Sequence, residues 1–157
     1  MTRTPQRVTL LTNPASGQGH GSVAAQRAVV RLQRRGVDVV ELIGSDAAHA
    51  RRLLDEALDH GTDAVVVAGG DGMISLVLQA LAQSDVPLGI IPAGTGNDHA
   101  REFGIPRDDP EAAADIVATG RTETIDLGRI EAADGTVKWF GTVMAAGFDS
   151  LVTDRAN

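Results

Sequence analysis

The sequence predicts an α/β fold: a parallel sheet with helices on both faces, followed by the start of a β-rich second domain. Three observations carry that expectation. Short apolar runs alternate with helix-periodic segments from Arg7 to Gly120, the order that builds parallel sheets. The run Ala64–Ala68 is apolar throughout, as a strand covered on both faces must be. After about residue 121 the helical segments stop, and two strand-like stretches flank Asp134-Gly135, a hairpin turn signal.

Element by element, Arg7–Thr12 reads as the first strand and Asn13–Gly21 as a Gly/Ser loop. Ser22–Arg35 reads as a helix, stopped by Gly36, since glycine suits the left-handed position beyond a helix end. Val37–Ile43 is the second strand. A helix from about Asp46 places Ala50, Leu54, Ala57 and Leu58 on one face and ends at Gly61. After the buried third strand and a Gly-rich turn, Ile74, Val77, Leu78 and Leu81 mark an amphipathic helix. Leu88–Ile91 is a fourth strand before another Gly-rich turn. Asp109-Pro110-Glu111 has the grammar of a helix start: a capping acid, proline in the first turn, and a carboxylate near the positive helix end. Thr124–Ile130 and Val137–Met144 read as the hairpin strands. The expected division is residues 1–123 for the α/β domain and 124–157 for the beginning of an antiparallel second domain.

Composition excludes several classes. Hydrophobic residues make up 43% of the 157, enough for a core, but no apolar run approaches the roughly 18–20 residues of a membrane span. The N-terminus lacks the apolar stretch of a secretion signal, so a cytoplasmic protein is expected. There is no cysteine, hence no disulfide, thiolate nucleophile or Cys-ligated zinc. A net charge of −7 argues against nucleic acid as a partner and gives no support for a polybasic membrane anchor. Lys138 is the only lysine, so neither a Walker A loop nor a protein-kinase strand lysine can be present.

Ligands of open α/β sheets bind beyond the carboxyl ends of the strands, and three glycine-rich loops fall there. The first is Asn13-Pro14-Ala15-Ser16-Gly17, which taken alone is as readily an ordinary loop. The second is Gly69-Gly70-Asp71-Gly72. Without Cβ atoms, phosphate oxygens can approach the backbone N–H groups, and the next helix presents its positive end. Gly70 is expected to offer space, or a φ closed to other residues. Asp71 is placed to bind Mg²⁺ directly or through water; the plain structural explanation is a tight turn with Asp71 as helix cap. The third loop is Pro92-Ala93-Gly94-Thr95-Gly96-Asn97-Asp98. It supplies the Thr95 hydroxyl and exposes backbone at Gly94 and Gly96, with Asp98 at the entry to a short helix, where a helix cap is the plain explanation. His20, His49, His60 and His99 have no zinc-site spacing; His99 is expected on a helix surface. Trp139 and Phe140 are expected in packing rather than base stacking.

In this order, NPASG at 13–17, GGDGM at 69–73 and PAGTGND at 92–98 resemble the diacylglycerol kinase catalytic-domain family. GGDG by itself is shared with phosphofructokinases and NAD kinases, whose nucleotide-binding domains are the fold the resemblance implies. The resemblance implies an enzyme that uses ATP and Mg²⁺ to phosphorylate a lipid such as diacylglycerol, giving phosphatidic acid, with peripheral contact at the inner membrane face. Carried over by position, it implies nucleotide contacts at Asn13, Pro14, Ala15, Ser16, Gly17, Gly69, Gly70, Asp71, Gly72, Met73 and Thr95. A hydroxyl at the end of the second strand maps to Ser45, and a supporting acidic network to Asp71, Asp98 and Asp126. Two positions depart from the pattern. Met73 stands where the family usually has Thr, and Ser75-Leu76 where Asn-Glu is frequent. Met cannot donate a hydroxyl hydrogen bond to phosphate. The family's general base maps beyond residue 157, so this chain is expected to be inactive alone, and its unpaired hairpin strands to favour self-association. The alternatives are an NAD-kinase-like enzyme and a non-catalytic nucleotide-binding or assembly module.

Overall fold

The computed structural model describes residues 3–13 and 19–141. Its elements are β1 (Arg7–Thr12), α1 (His20–Arg34), β2 (Asp38–Ile43), α2 (Ala47–His60), β3 (Ala64–Gly69), α3 (Asp71–Leu81), β4 (Leu88–Pro92), α4 (Asp98–Glu102), α5 (Pro110–Thr119), β5 (Gly128–Glu131) and β6 (Val137–Phe140). β1 to β4 form one parallel sheet in the order β2-β1-β3-β4. β3 is central and buried along its whole length.

Two apolar layers cover the sheet. Side chains alternate across a strand, so Val66 faces one layer and Val65 and Val67 the other. On the first face Val8, Leu10 and Val66 meet Ala24, Ala28 and Leu32 of α1 and Ala113, Ala114 and Ala118 of α5. On the second, Leu11, Val65 and Val67 meet Leu54 of α2 and Ile74, Val77 and Leu78 of α3. The alanines let α1 and α5 lie close, and Asp115 ties them at the surface. It accepts a two-pronged pair of hydrogen bonds from Arg31 at 2.7 and 2.8 Å and meets Arg35 at 3.0 Å.

The helix signals hold, with shifts of one or two residues. Asp46 accepts the N–H of His49 to open α2, and Asp109 accepts those of Glu111 and Ala112 to open α5. α1 starts two residues before Ser22, on Gly19 and without a side-chain cap. Gly36 stands beyond its end at φ +80°.

The Asp134-Gly135 turn closes the hairpin: Asp134 accepts the N–H of Thr136, and Gly135 adopts φ +84°. Its first strand is shorter than expected. The turn pairs Glu131 with Val137 and Gly128 with Phe140, and residues 124–127 precede this ladder. They run as exposed or half-buried irregular chain instead of strand. The Val137–Met144 strand is confirmed over Val137–Phe140; residues 142–144 lie outside the described residues. Gln79 of α3 docks the hairpin. Its amide donates to the Trp139 carbonyl at 2.7 Å and accepts the Trp139 N–H at 2.9 Å. One side chain thus takes the place of a neighbouring strand.

Candidate functional site: two glycine loops locked by one carboxylate

The loops after β3 and β4 lie side by side at the carboxyl edge of the sheet, because their strands are neighbours. A cleft of about 400 Å³ opens there, lined by Gly70, Asp71, Gly72, Met73, Gly94, Thr95 and Gly96. All seven are among the positions expected from the sequence.

Glycine is required here for closeness. The Ala93 N–H donates to the Gly69 carbonyl. A Cβ on Gly94 would come within 2.5 Å of Gly70 Cα, and one on Gly70 within 3.1 Å of Gly94 Cα. The conformational part of the Gly70 expectation is corrected: its φ is −98°, open to any residue, so the constraint is the backbone of the facing loop. Around Gly72, by contrast, a Cβ would meet nothing within 4 Å. That open side fronts the start of α3, which Gly70 begins without a side-chain cap. First-turn N–H groups beside open space suit an anion.

Asp71 is the first residue of α3, and it caps a different helix. Its carboxylate accepts the N–H of Asp98 at 2.9 Å, the N–H of His99 at 3.2 Å, and Nδ1 of His99 at 2.9 Å. Both peptide groups lie at the start of α4. Asn97 closes the same loop from within, accepting the Gly94 N–H at 3.0 Å and donating to the Gly94 carbonyl at 2.8 Å. Burial works against ionisation of Asp71, yet the Asp98 N–H and the ring and N–H of His99 hold its carboxyl below the ordinary range.

A carboxylate offers about four lone-pair directions, and three are taken by these donors. The remaining one leaves room for a water or a metal-bound water. Among the described residues no group of three or more His, Cys, Asp or Glu side chains is arranged to hold a metal ion.

The other expected residues divide. Asp98 adjoins Asp71 through its N–H, while its exposed carboxylate pairs with Arg101 at 2.9 Å. Asp126 is exposed in the irregular stretch before β5, apart from the Asp71–Asp98 contact. Ser45 lies beyond β2, a strand removed from the cleft by β1. Its hydroxyl is 3.0 Å from His49 Nδ1 and 3.2 Å from Asp46. Asn13 is half-buried at the end of β1; Pro14, Ala15, Ser16 and Gly17 lie outside the described residues. Met73 is half-buried and folds over Gly69, its sulfur 2.8 Å from where a Cβ there would stand. The surface placement of His99 is corrected: it is 3% exposed, because the Asp71 bond draws the ring inward. Sequence reasoning also passed over Asn97 as a loop brace and Thr12. Thr12 is buried at the end of β1, and its hydroxyl has no partner among the described residues. The signal for Asn97 was the Gly94-Thr95-Gly96-Asn97 spacing, which sets a side-chain amide three residues past a glycine.

This geometry agrees with comparison to known proteins. Residues 7–130 match the family model described as the diacylglycerol kinase catalytic domain. The chain belongs to that family. It is 66% identical over 151 residues to a diacylglycerol kinase of Mycobacterium tuberculosis, covering 96% of this chain and 49% of that protein. It is 35% identical over 130 residues to one from Bacillus subtilis, covering 80% and 42%. A solved diacylglycerol kinase from Bacillus anthracis superposes with a TM-score of 0.62 at 32% identity, over 73% of this chain and 43% of that one. The chain thus spans about half the length of the curated relatives it matches. Both glycine loops and all four strands of the main sheet fall inside the family's matched region.

Proposed function

We propose that this chain is the nucleotide-binding portion of an ATP-dependent lipid kinase that phosphorylates diacylglycerol, or a related lipid alcohol, to phosphatidic acid. The single observation that carries this reading is the abutment of the two glycine loops around an open cleft at the uncapped start of α3. ATP's phosphates would lie against the backbone of Gly70–Gly72, Thr95 and Gly96, where close approach to glycine backbone and a helix terminus replace the lysine this chain lacks. The Thr95 hydroxyl lies in the cleft lining and would add a donor. Mg²⁺ would be reached from Asp71 through water, given its one remaining lone-pair direction, and would supply neutralisation of phosphate charge. The first loop, Asn13–Gly17, and Ser45 are assigned to the nucleoside side of the site. Asp98 and Asp126 are assigned to the supporting acidic network, Asp126 by its position in the family pattern.

Phosphoryl transfer rests on positioning and charge stabilisation, and this chain's contribution is the rigid frame for the donor. We place the lipid cleft and the general base in protein beyond these 157 residues, in the domain that 124–157 begins. The chain alone would therefore bind nucleotide without turnover. The whole protein would work in the cytoplasm and meet the inner membrane face peripherally. Among the described residues no helix is long and apolar enough to cross a membrane. Self-association through the hairpin edge belongs to the same reading.

The test is transfer of labelled γ-phosphate from ATP to diacylglycerol by the full-length protein, beside the 157-residue chain. Label in phosphatidic acid only with the former is expected. Label in NADP when NAD replaces the lipid would select the NAD-kinase reading. Nucleotide binding with no acceptor used would select a non-catalytic module.

A further inference from the structure

His99 stands outside every assignment made so far, yet it is among the most buried polar residues described. Its Nδ1 lies 2.9 Å from Asp71 Oδ1. An ionised carboxylate only accepts hydrogen bonds, so Nδ1 carries the proton. Nε2 is then an acceptor. It is buried without a partner among the described residues, and lies 3.0 Å from where a Cβ on Gly141 would stand. A protonated Nε2 in that position would be a buried donor with no acceptor among the described residues, a costly arrangement. The geometry thus places a proton on Nδ1, aimed at Asp71.

We propose that His99 is the positioning residue of the nucleotide site: its Nδ1–H fixes the Asp71 carboxylate, and through Asp71 the spacing of the two glycine loops. Among the described residues, Asp71 is otherwise held by backbone N–H groups of α4. Those two bonds leave the carboxylate free to tilt about the helix start. The ring bond comes from the side and removes that freedom. Gly141, after β6, lies against the ring, so the docked hairpin backs it. The role rests on the nucleotide-site reading above.

The test separates the donor from the ring. His99→Phe keeps the ring and loses the donor. His99→Asn keeps a donor near the Nδ1 position and loses ring volume. Calorimetric titration of MgATP into the chain and each variant is run beside thermal melts. His99→Phe is expected to weaken MgATP binding about tenfold, the scale of one hydrogen bond to a charged group. His99→Asn is expected to recover most of that affinity although it melts at the lower temperature of the two. Equal affinity in wild type and His99→Phe, or Asn binding no better than Phe, overturns the proposal. Imidazole ¹⁵N shifts of wild-type His99 give a check independent of nucleotide and of variant folding. A proton on Nδ1 is expected, and a ring protonated on Nε2 alone overturns the proposal. Absence of MgATP binding by the wild-type chain overturns the nucleotide reading and this role with it. The tautomer signal then still reports whether His99 holds Asp71.

Discussion

The carboxylate of Asp71 accepts the backbone N–H of Asp98 at 2.9 Å across 27 residues of sequence. The acid of the loop after β3 is therefore the helix cap of the loop after β4. Glycine on both sides of the contact, Gly70 and Gly94, is what lets the two backbones come close enough. Asp71 and Asp98, paired in the sequence as acids of one network, are joined by an N–H rather than through their two carboxylates.

Asp71→Ala is expected to cost about 2 kcal/mol of stability, because it strips a cap from α4 and leaves the His99 ring donor buried and unpaired. Asp98→Ala removes only an exposed pair with Arg101 and is expected to change stability by less than about 0.5 kcal/mol. Urea denaturation of both variants checks the contrast. Equal losses would show that the Asp71 hydrogen bonds are not what orders the loops.

Gly70→Val is expected to abolish MgATP binding while far-UV circular dichroism stays near wild type. The added branches would press on Gly94 Cα and part the loops. Met73→Thr works the other way. It removes a side chain folded over Gly69 and supplies a hydroxyl at the helix start, and should tighten binding roughly tenfold. Calorimetry reads both, and unchanged affinity in the two variants would end the phosphate-cradle assignment.

Gln79→Ala should release the hairpin from α3. Both outward-facing backbone groups of Trp139 lose their partner, at a cost of about 1–2 kcal/mol. Trp139 is the only tryptophan, so its emission is expected to shift to longer wavelength before the main sheet melts. Coincident fluorescence and circular-dichroism transitions in this variant would mean that Gln79 does not hold the hairpin.

Asp63 links the start of β1 to the start of β3 by accepting the N–H groups of Gln6 at 2.8 Å and Arg7 at 3.0 Å. The Arg7 and Gln6 hydrogen bonds hold its carboxyl below the ordinary range. A depressed carboxylate contributes stability that is present above its unfolded value near 4 and is lost as the pH falls through the folded value. Asp63→Ala should therefore melt lower than wild type at pH 7, with the gap closing below about pH 4. A gap that stays constant down to pH 2 would show that the effect is not electrostatic.

Much of the fold was legible because strand and helix periods are local properties of a chain with two covered sheet faces. Val65 to Val67 read as a buried strand without any partner being known. Asp109-Pro110 and Asp134-Gly135 carry their turn chemistry within four residues. The hairpin strand at 124–127 was misread for the opposite reason: β-propensity describes a surface that fits a partner, and the described ladder starts at Gly128 with Phe140.

The sequence by itself determined the order of strands and helices, the three glycine loops at strand ends, and the family those loops mark. Tertiary structure alone decided what the loop residues do to one another. Only the β3–β4 pairing brings Gly70 against Gly94, turns Asp71 into the cap of α4, and draws His99 out of solvent. Only the packing of α3 puts Gln79 beside Trp139, 60 residues on. Hydrogen-bond partners chosen across such distances depend on backbone groups that look the same at every residue, so no local pattern can announce them until the sheet order has fixed which loops meet.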